Sequence, residues 1–93
     1  MGTGKLRIGQ LVWSTQGRDA GRYYLVTGFT GDRVLVADGE VRTVNRPKKK
    51  NIRHLKALPV VDEEISSKVA AGRKLSDADI RKALRSLVEE GSQ

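Results

Sequence analysis

Up to about residue 58 the apolar residues come in short blocks separated by glycine turns, and after that they fall into a helical stripe. Gly9 to Ser14 is the first strand expected, because Leu11, Val12 and Trp13 suit a pleated, half-buried surface. Arg22 to Thr30 is the second. There Tyr23, Leu25 and Thr27 share one face and Tyr24, Val26 and Gly28 the other, so alternation leaves open which face is inward. Thr30-Gly31-Asp32-Arg33 carries a tight-hairpin signal, and Arg33 to Asp38 is the third strand. Asp38-Gly39 is a type I′ hairpin signal that predicts a return strand over Glu40 to Val44, and Ile52 to Leu58 offers a fifth. Short strands with glycine turns at this spacing predict a mainly β chain closing into a small barrel. Met1 to Lys5 reads as a loose start.

Pro59 and the acidic step Asp62-Glu63-Glu64 end that region, giving an expected division into a barrel over 1–61 and a helical C-terminal extension over 62–93. A short helix is predicted from about Asp62 to Ala71, with acids in its first turn and Gly72 as its stop. A second begins at Ser76, which pairs with Asp79 as a variant of the capping box. Ile80, Ala83, Leu84, Leu87 and Val88 then form one apolar stripe, and Gly91 ends it. The stripe must be covered by the barrel or by a partner. Arg81, Lys82 and Arg85 lie off it, as a solvated face or as contacts to RNA.

Composition narrows the chemistry. With 93 residues and no cysteine, the chain has a small core and neither disulfides nor thiolate metal sites. One histidine, His54, gives no basis for a metal cluster, and no cofactor is expected. No apolar run approaches the ~20 residues needed to cross a bilayer. Met1 to Arg7 lacks the apolar region of a secretory signal, so a cytoplasmic location is expected. Eighteen basic and eleven acidic residues give a net charge of +7. Residues 1–61 hold twelve basic and four acidic side chains, net +8, whereas 62–93 hold six and seven, net −1. The first two-thirds is therefore the part expected to face a polyanion.

Two stretches carry that expectation. In Gly17-Arg18-Asp19-Ala20-Gly21 two glycines sit four apart, and such a loop can aim backbone N–H groups at an anion between Arg18 and Arg22. The bland alternative is a plain turn with solvated arginines. The run from Arg46 to Lys56 holds six positive charges in eleven residues and no acid. Phosphates would relieve its self-repulsion and release counterions. Arg46, Asn51 and Arg53 add directional donors that a merely solubilising loop does not require. His54 could stack on a base or donate to phosphate, while a half-buried strand histidine is its ordinary role. Trp13, the one tryptophan, is expected in the core.

Gly9-Gln10-Leu11-Val12-Trp13-Ser14 followed by Gly17-Arg18-Asp19-Ala20-Gly21 resembles a KOW motif. Val36-Ala37-Asp38-Gly39, Val41-Arg42 and Arg46-Pro47-Lys48-Lys49-Lys50-Asn51-Ile52-Arg53-His54-Leu55 extend the likeness over about residues 7–58. The chain resembles the KOW-containing large-subunit ribosomal proteins of archaea and eukaryotes and the small bacterial KOW-domain RNA-binding proteins. That resemblance implies an SH3-like β-barrel and, as partner, ribosomal or other structured RNA. It places Arg18, Gly21, Arg22, Arg42, Arg46, Lys48, Lys49, Lys50, Asn51, Arg53, His54 and Lys56 as RNA-binding residues. Asp19 would be structural, capping the loop by accepting backbone N–H bonds.

The expected function is thus binding of structured ribosomal RNA, or association with the ribosome, through a basic KOW barrel, by backbone and shape recognition because only four aromatics are present. The alternative is a protein-interaction adaptor using the barrel and helix 76–90. An enzyme is not expected: the basic part has four carboxylates, three in predicted turns, and there is neither a cysteine nucleophile nor a serine elbow.

Overall fold

Strand alternation sends successive side chains to opposite faces, and here both faces are apolar enough to be buried. The structure, a computed structural model, describes residues 6–91; the loose start expected over Met1–Lys5 lies outside them. Its strands are β1 (Gln10–Ser14), β2 (Tyr23–Thr30), β3 (Arg33–Ala37), β4 (Lys48–Asn51) and β5 (Leu55–Val61). They pair antiparallel in the order β4-β3-β2-β1-β5. A bulge at Thr27 shifts the register between Val26 and Gly28.

The central strand β2 settles the question that alternation left open, because both of its faces point inward. Leu25 joins Leu11, Ile65, Ile80, Ala83 and Leu87 in one core cluster, with Tyr23 packed against it. Tyr24 and Val26 join Val12, Val34 and Val36 in a second, flanked by Leu6, Ile8, Ile52 and Leu55. Full burial of a side chain such as Leu11 or Ile80 is worth roughly 1.5–3 kcal/mol.

Two helices cover the first cluster: α1 (Glu63–Ala70) and α2 (Asp77–Gly91). Asp62 caps α1 by accepting the Ile65 N–H at 3.0 Å. Before α2 the capping box forms in both directions, the Asp79 N–H donating to Ser76 Oγ and the Ser76 N–H to the Asp79 carboxylate, each at 3.1 Å. Lys68 Nζ reaches the same carboxylate at 2.9 Å and ties the helices together. This bond, first among several, holds the Asp79 carboxyl below its ordinary pKa. Of the two coverings open to the apolar stripe, its Ile80, Ala83 and Leu87 take the sheet.

Three expectations need correction. Glu40 to Val44 is not a strand. The Asp38 carboxylate accepts the N–H groups of Glu40 and Arg42, both at 2.9 Å, while Asp38 and Gly39 donate their N–H groups to the Arg42 carbonyl. A segment folded on its own aspartate has no ladder to offer, and the fourth strand is instead the lysine run, Lys48–Asn51. Second, the fifth strand starts later than expected. Ile52–His54 forms a 3₁₀ turn capped by the Asn51 side chain, and β5 begins at Leu55. Third, no ladder joins the edge strands β4 and β5 among the described residues, so the sheet does not close into a barrel. The three-residue 3₁₀ turn joins them end to end rather than side by side.

Candidate nucleic-acid interface

The loop between β1 and β2 is built from its glycines outward. Gly17 and Gly21 have φ of +96° and +92°, backbone that L side chains rarely adopt. The loop closes on itself: the Gly21 N–H donates to the Ser14 carbonyl at 2.8 Å, Ala20 to Gly17 at 3.2 Å and Arg22 to Asp19 at 3.0 Å. These three N–H groups are thus spent on the chain's own carbonyls rather than on an anion.

The loop instead turns one carboxylate inward. Asp19 is buried, and its oxygens accept Ser14 Oγ at 3.0 Å, the Tyr24 hydroxyl at 2.9 Å and Lys50 Nζ at 3.2 Å, with Lys48 Nζ at 3.4 Å. Lys50 also donates to the Gln16 carbonyl at 3.0 Å. Burial works against the charged carboxylate, but the bonds from Tyr24, Ser14 and Lys50, together with the Lys50 charge, outweigh it and hold the Asp19 carboxyl well below the usual range. Burial first, then the bond to Asp19 and its negative charge, push the Tyr24 phenol up to about 12. Asp19 is therefore structural, but through side-chain donors rather than the backbone N–H groups expected of it. Ser14 and Tyr24, which sequence reasoning missed as its supports, stand five residues to either side of it.

The basic run divides by strand alternation. Lys48 and Lys50 point toward Asp19, and Lys50 is buried. Lys49 lies on the opposite face and is exposed. Arg18, Arg46 and Arg53 are exposed as well. Asn51 uses its side-chain oxygen to accept the Arg53 N–H at 2.9 Å, which sets the 3₁₀ turn. His54 is half-buried, and its carbonyl accepts the Thr15 N–H at 2.9 Å, tying the turn to the loop. Arg33 sits opposite Asn51 in the ladder and adds an exposed cation that the sequence reading left aside.

The remaining expected contacts stand elsewhere. Arg42 is half-buried in the loop folded on Asp38, and Arg22 lines a cleft with Arg81 and Asp38. Lys56 lies over the Trp13 ring, 5.8 Å from its centroid. Trp13, expected in the core, lies outside both clusters, half-buried and stacked on Tyr23 at 6.3 Å. Its indole Nε1 is buried without a hydrogen-bond partner among the described residues. What the structure assembles around Asp19 is thus a rigid junction of loop, β4 and the turn into β5, with Arg18, Lys49 and Arg53 left to the solvent.

Among the described residues no group of three or more His, Asp or Glu side chains is placed to hold a metal ion, and no helix is long and apolar enough to cross a membrane. No family model matches the chain. A 63-residue stretch, 67% of this chain and 85% of the relative, is 43% identical to the Bacillus subtilis (strain 168) protein named "Putative ribosome-binding protein YbzG".

Proposed function

The chain belongs to the family of that Bacillus subtilis protein, and from this premise we propose that it associates with the ribosome by docking a basic β-scaffold on structured ribosomal RNA. The relationship in sequence is the observation that carries the reading. The geometry is in keeping with it, because Asp19 fixes the loop bearing Arg18 to β4, so the exposed cations stand on a preorganised surface. Arg18, Arg46 and Arg53 supply directed contacts to phosphate, and Lys49 adds a point charge on the other face of β4. Lys48 and Lys50 neutralise Asp19 and support the surface from behind. We read the β1–loop–β2 unit as a KOW element and the five-stranded antiparallel sheet as an SH3-like variant. The stripe of α2 is spent on the chain's own core, which favours RNA docking over an adaptor role for that helix.

The test is sedimentation with purified Bacillus subtilis ribosomes over a salt series. The chain should pellet with ribosomes at 50 mM salt and be released progressively as salt rises, since each phosphate contact contributes about 0.7–0.9 to the logarithmic salt slope. A chain that stays in the supernatant at low salt would sink the reading.

A further inference from the structure

We propose that a cleft on the face of the sheet opposite Asp19 is a second RNA-binding site, one that takes an unpaired nucleotide, with Arg73 and Lys74 meeting its phosphates. The inference rests on the reading just given and extends it to a part of the chain whose net charge of −1 leaves it outside the region expected to face a polyanion.

The cleft, of about 310 Å³, lies between the sheet and the connection from α1 to α2. That is at the lower end of the range for small-molecule sites, roughly 300–1,000 Å³. Its apolar walls are Leu35, Val44, Val69 and Leu75, and its charged groups are Arg73 and Lys74. Among the described residues no carboxylate lines it. Two other clefts differ in this respect. One sets Arg22, Arg81 and Arg85 against Asp38, Glu40 and Glu89, and the other sets Lys68 and Lys82 against Asp62, Glu64 and Asp79. Cations there face acids of the same chain, whereas Arg73 and Lys74 share their cleft with none.

The walls are held in place. Gly72 adopts φ of +74° and ends α1 in a Schellman turn: the Gly72 N–H donates to the Val69 carbonyl at 3.0 Å and the Arg73 N–H to Lys68 at 2.8 Å. This turn delivers two exposed cations in succession to the cleft edge. On the other side the Val44 N–H donates to the Asp77 carboxylate at 2.9 Å and pins the loop after β3 to α2. Lys49 pairs with Leu35 across β3 and β4, so the exposed lysine of the run shares the sheet face of the cleft wall. An apolar floor with cations at its rim fits a base or ribose laid on Leu35 and Leu75, its flanking phosphates on Arg73, Lys74 and Lys49. The Arg73 guanidinium can also stack on a base plane.

The test uses the full chain in two double variants of equal charge change, Arg73→Glu with Lys74→Glu and, as control, Lys82→Glu with Arg85→Glu. Both pairs are exposed, and denaturation midpoints would confirm folding. Binding is measured to Bacillus subtilis ribosomes and to protein-free ribosomal RNA over a salt series. The first variant should bind both at least tenfold more weakly, with a salt slope smaller by about 1.4, two single-strand contacts. The control should lose less than threefold. Equal affinities for the first variant and the wild type, or an equal loss in the control, would overturn the site. A loss confined to ribosomes, with naked RNA bound normally, would assign the cleft to a ribosomal protein and also overturn it. Wild-type chain that binds neither probe would remove the preceding reading, a result distinct from any of these.

Discussion

Lys50 Nζ lies 3.2 Å from Asp19 Oδ1, and both side chains are almost entirely withdrawn from water. The pair joins β4 to the β1–β2 loop across 31 residues of sequence. Its two members are not equivalent. Asp19 has Ser14, Tyr24 and Lys48 besides Lys50, whereas Lys50 keeps, among the described residues, only the Gln16 carbonyl once Asp19 is gone.

Removing the anion should therefore cost more than removing the cation. Asp19→Ala strands a buried ammonium and should lower unfolding stability by about 3 kcal/mol. Lys50→Met leaves the carboxylate with three donors and should cost about half of that. Urea denaturation of both variants checks the order, and a reversed order would refute this account of the junction.

The same junction sets a pH window. The Asp19 carboxyl is held down in the folded chain, so its contribution is complete above the unfolded value of about 3.9 and is lost as pH falls below it. The Tyr24 phenol is pushed up to about 12, so its contribution is present below the unfolded value of about 10 and is lost as pH rises from there through 12. Stability measured against pH should fall at both ends. Asp19→Asn should flatten the acid limb and Tyr24→Phe the alkaline one.

Consecutive lysines should give opposite phenotypes. Lys49→Ala should weaken ribosome binding and reduce the salt slope by just under one unit with an unchanged denaturation midpoint. Lys50→Ala should lower the midpoint first. Identical behaviour of the two variants in paired binding and unfolding measurements would mean that strand alternation does not divide the run.

The helices are part of the core that also holds Leu11 and Leu25. Ile80→Ala should cost roughly 2–5 kcal/mol and loosen the sheet as well as the helix, visible as faster amide exchange at Leu25. Loss of protection confined to 77–91 would show that the stripe is not held by the sheet.

Local chemistry made much of this legible. The blocks around Leu11, Leu25 and Leu35 read as strands because β-branched and aromatic residues are concentrated there, and the Ser76–Asp79 box marked α2 to within a residue. The fourth strand was not legible, because Lys48–Asn51 has no apolar residue to announce it. It pairs because β3 offers an edge and because Asp19, far away in sequence, accepts two of its charges. Asp38-Gly39 signalled a hairpin correctly in kind, but the aspartate captured its own neighbours and delayed the return. The junction at Asp19 was half visible: the loop was recognisable, and its partner lysine was assigned to RNA. Arg73 and Lys74 were invisible as a site, since only the packing of α1 and α2 on the sheet brings them beside Leu35.

The order of strands leaves β4 at one margin of the sheet, and three of its four residues are lysines. Unpaired strand margins invite a second molecule to add on, and lysine is a common deterrent. Lys49, the lysine of the run that faces the solvent, therefore guards against self-association whenever the surface is bare, and Lys49→Val should make the isolated protein prone to aggregate.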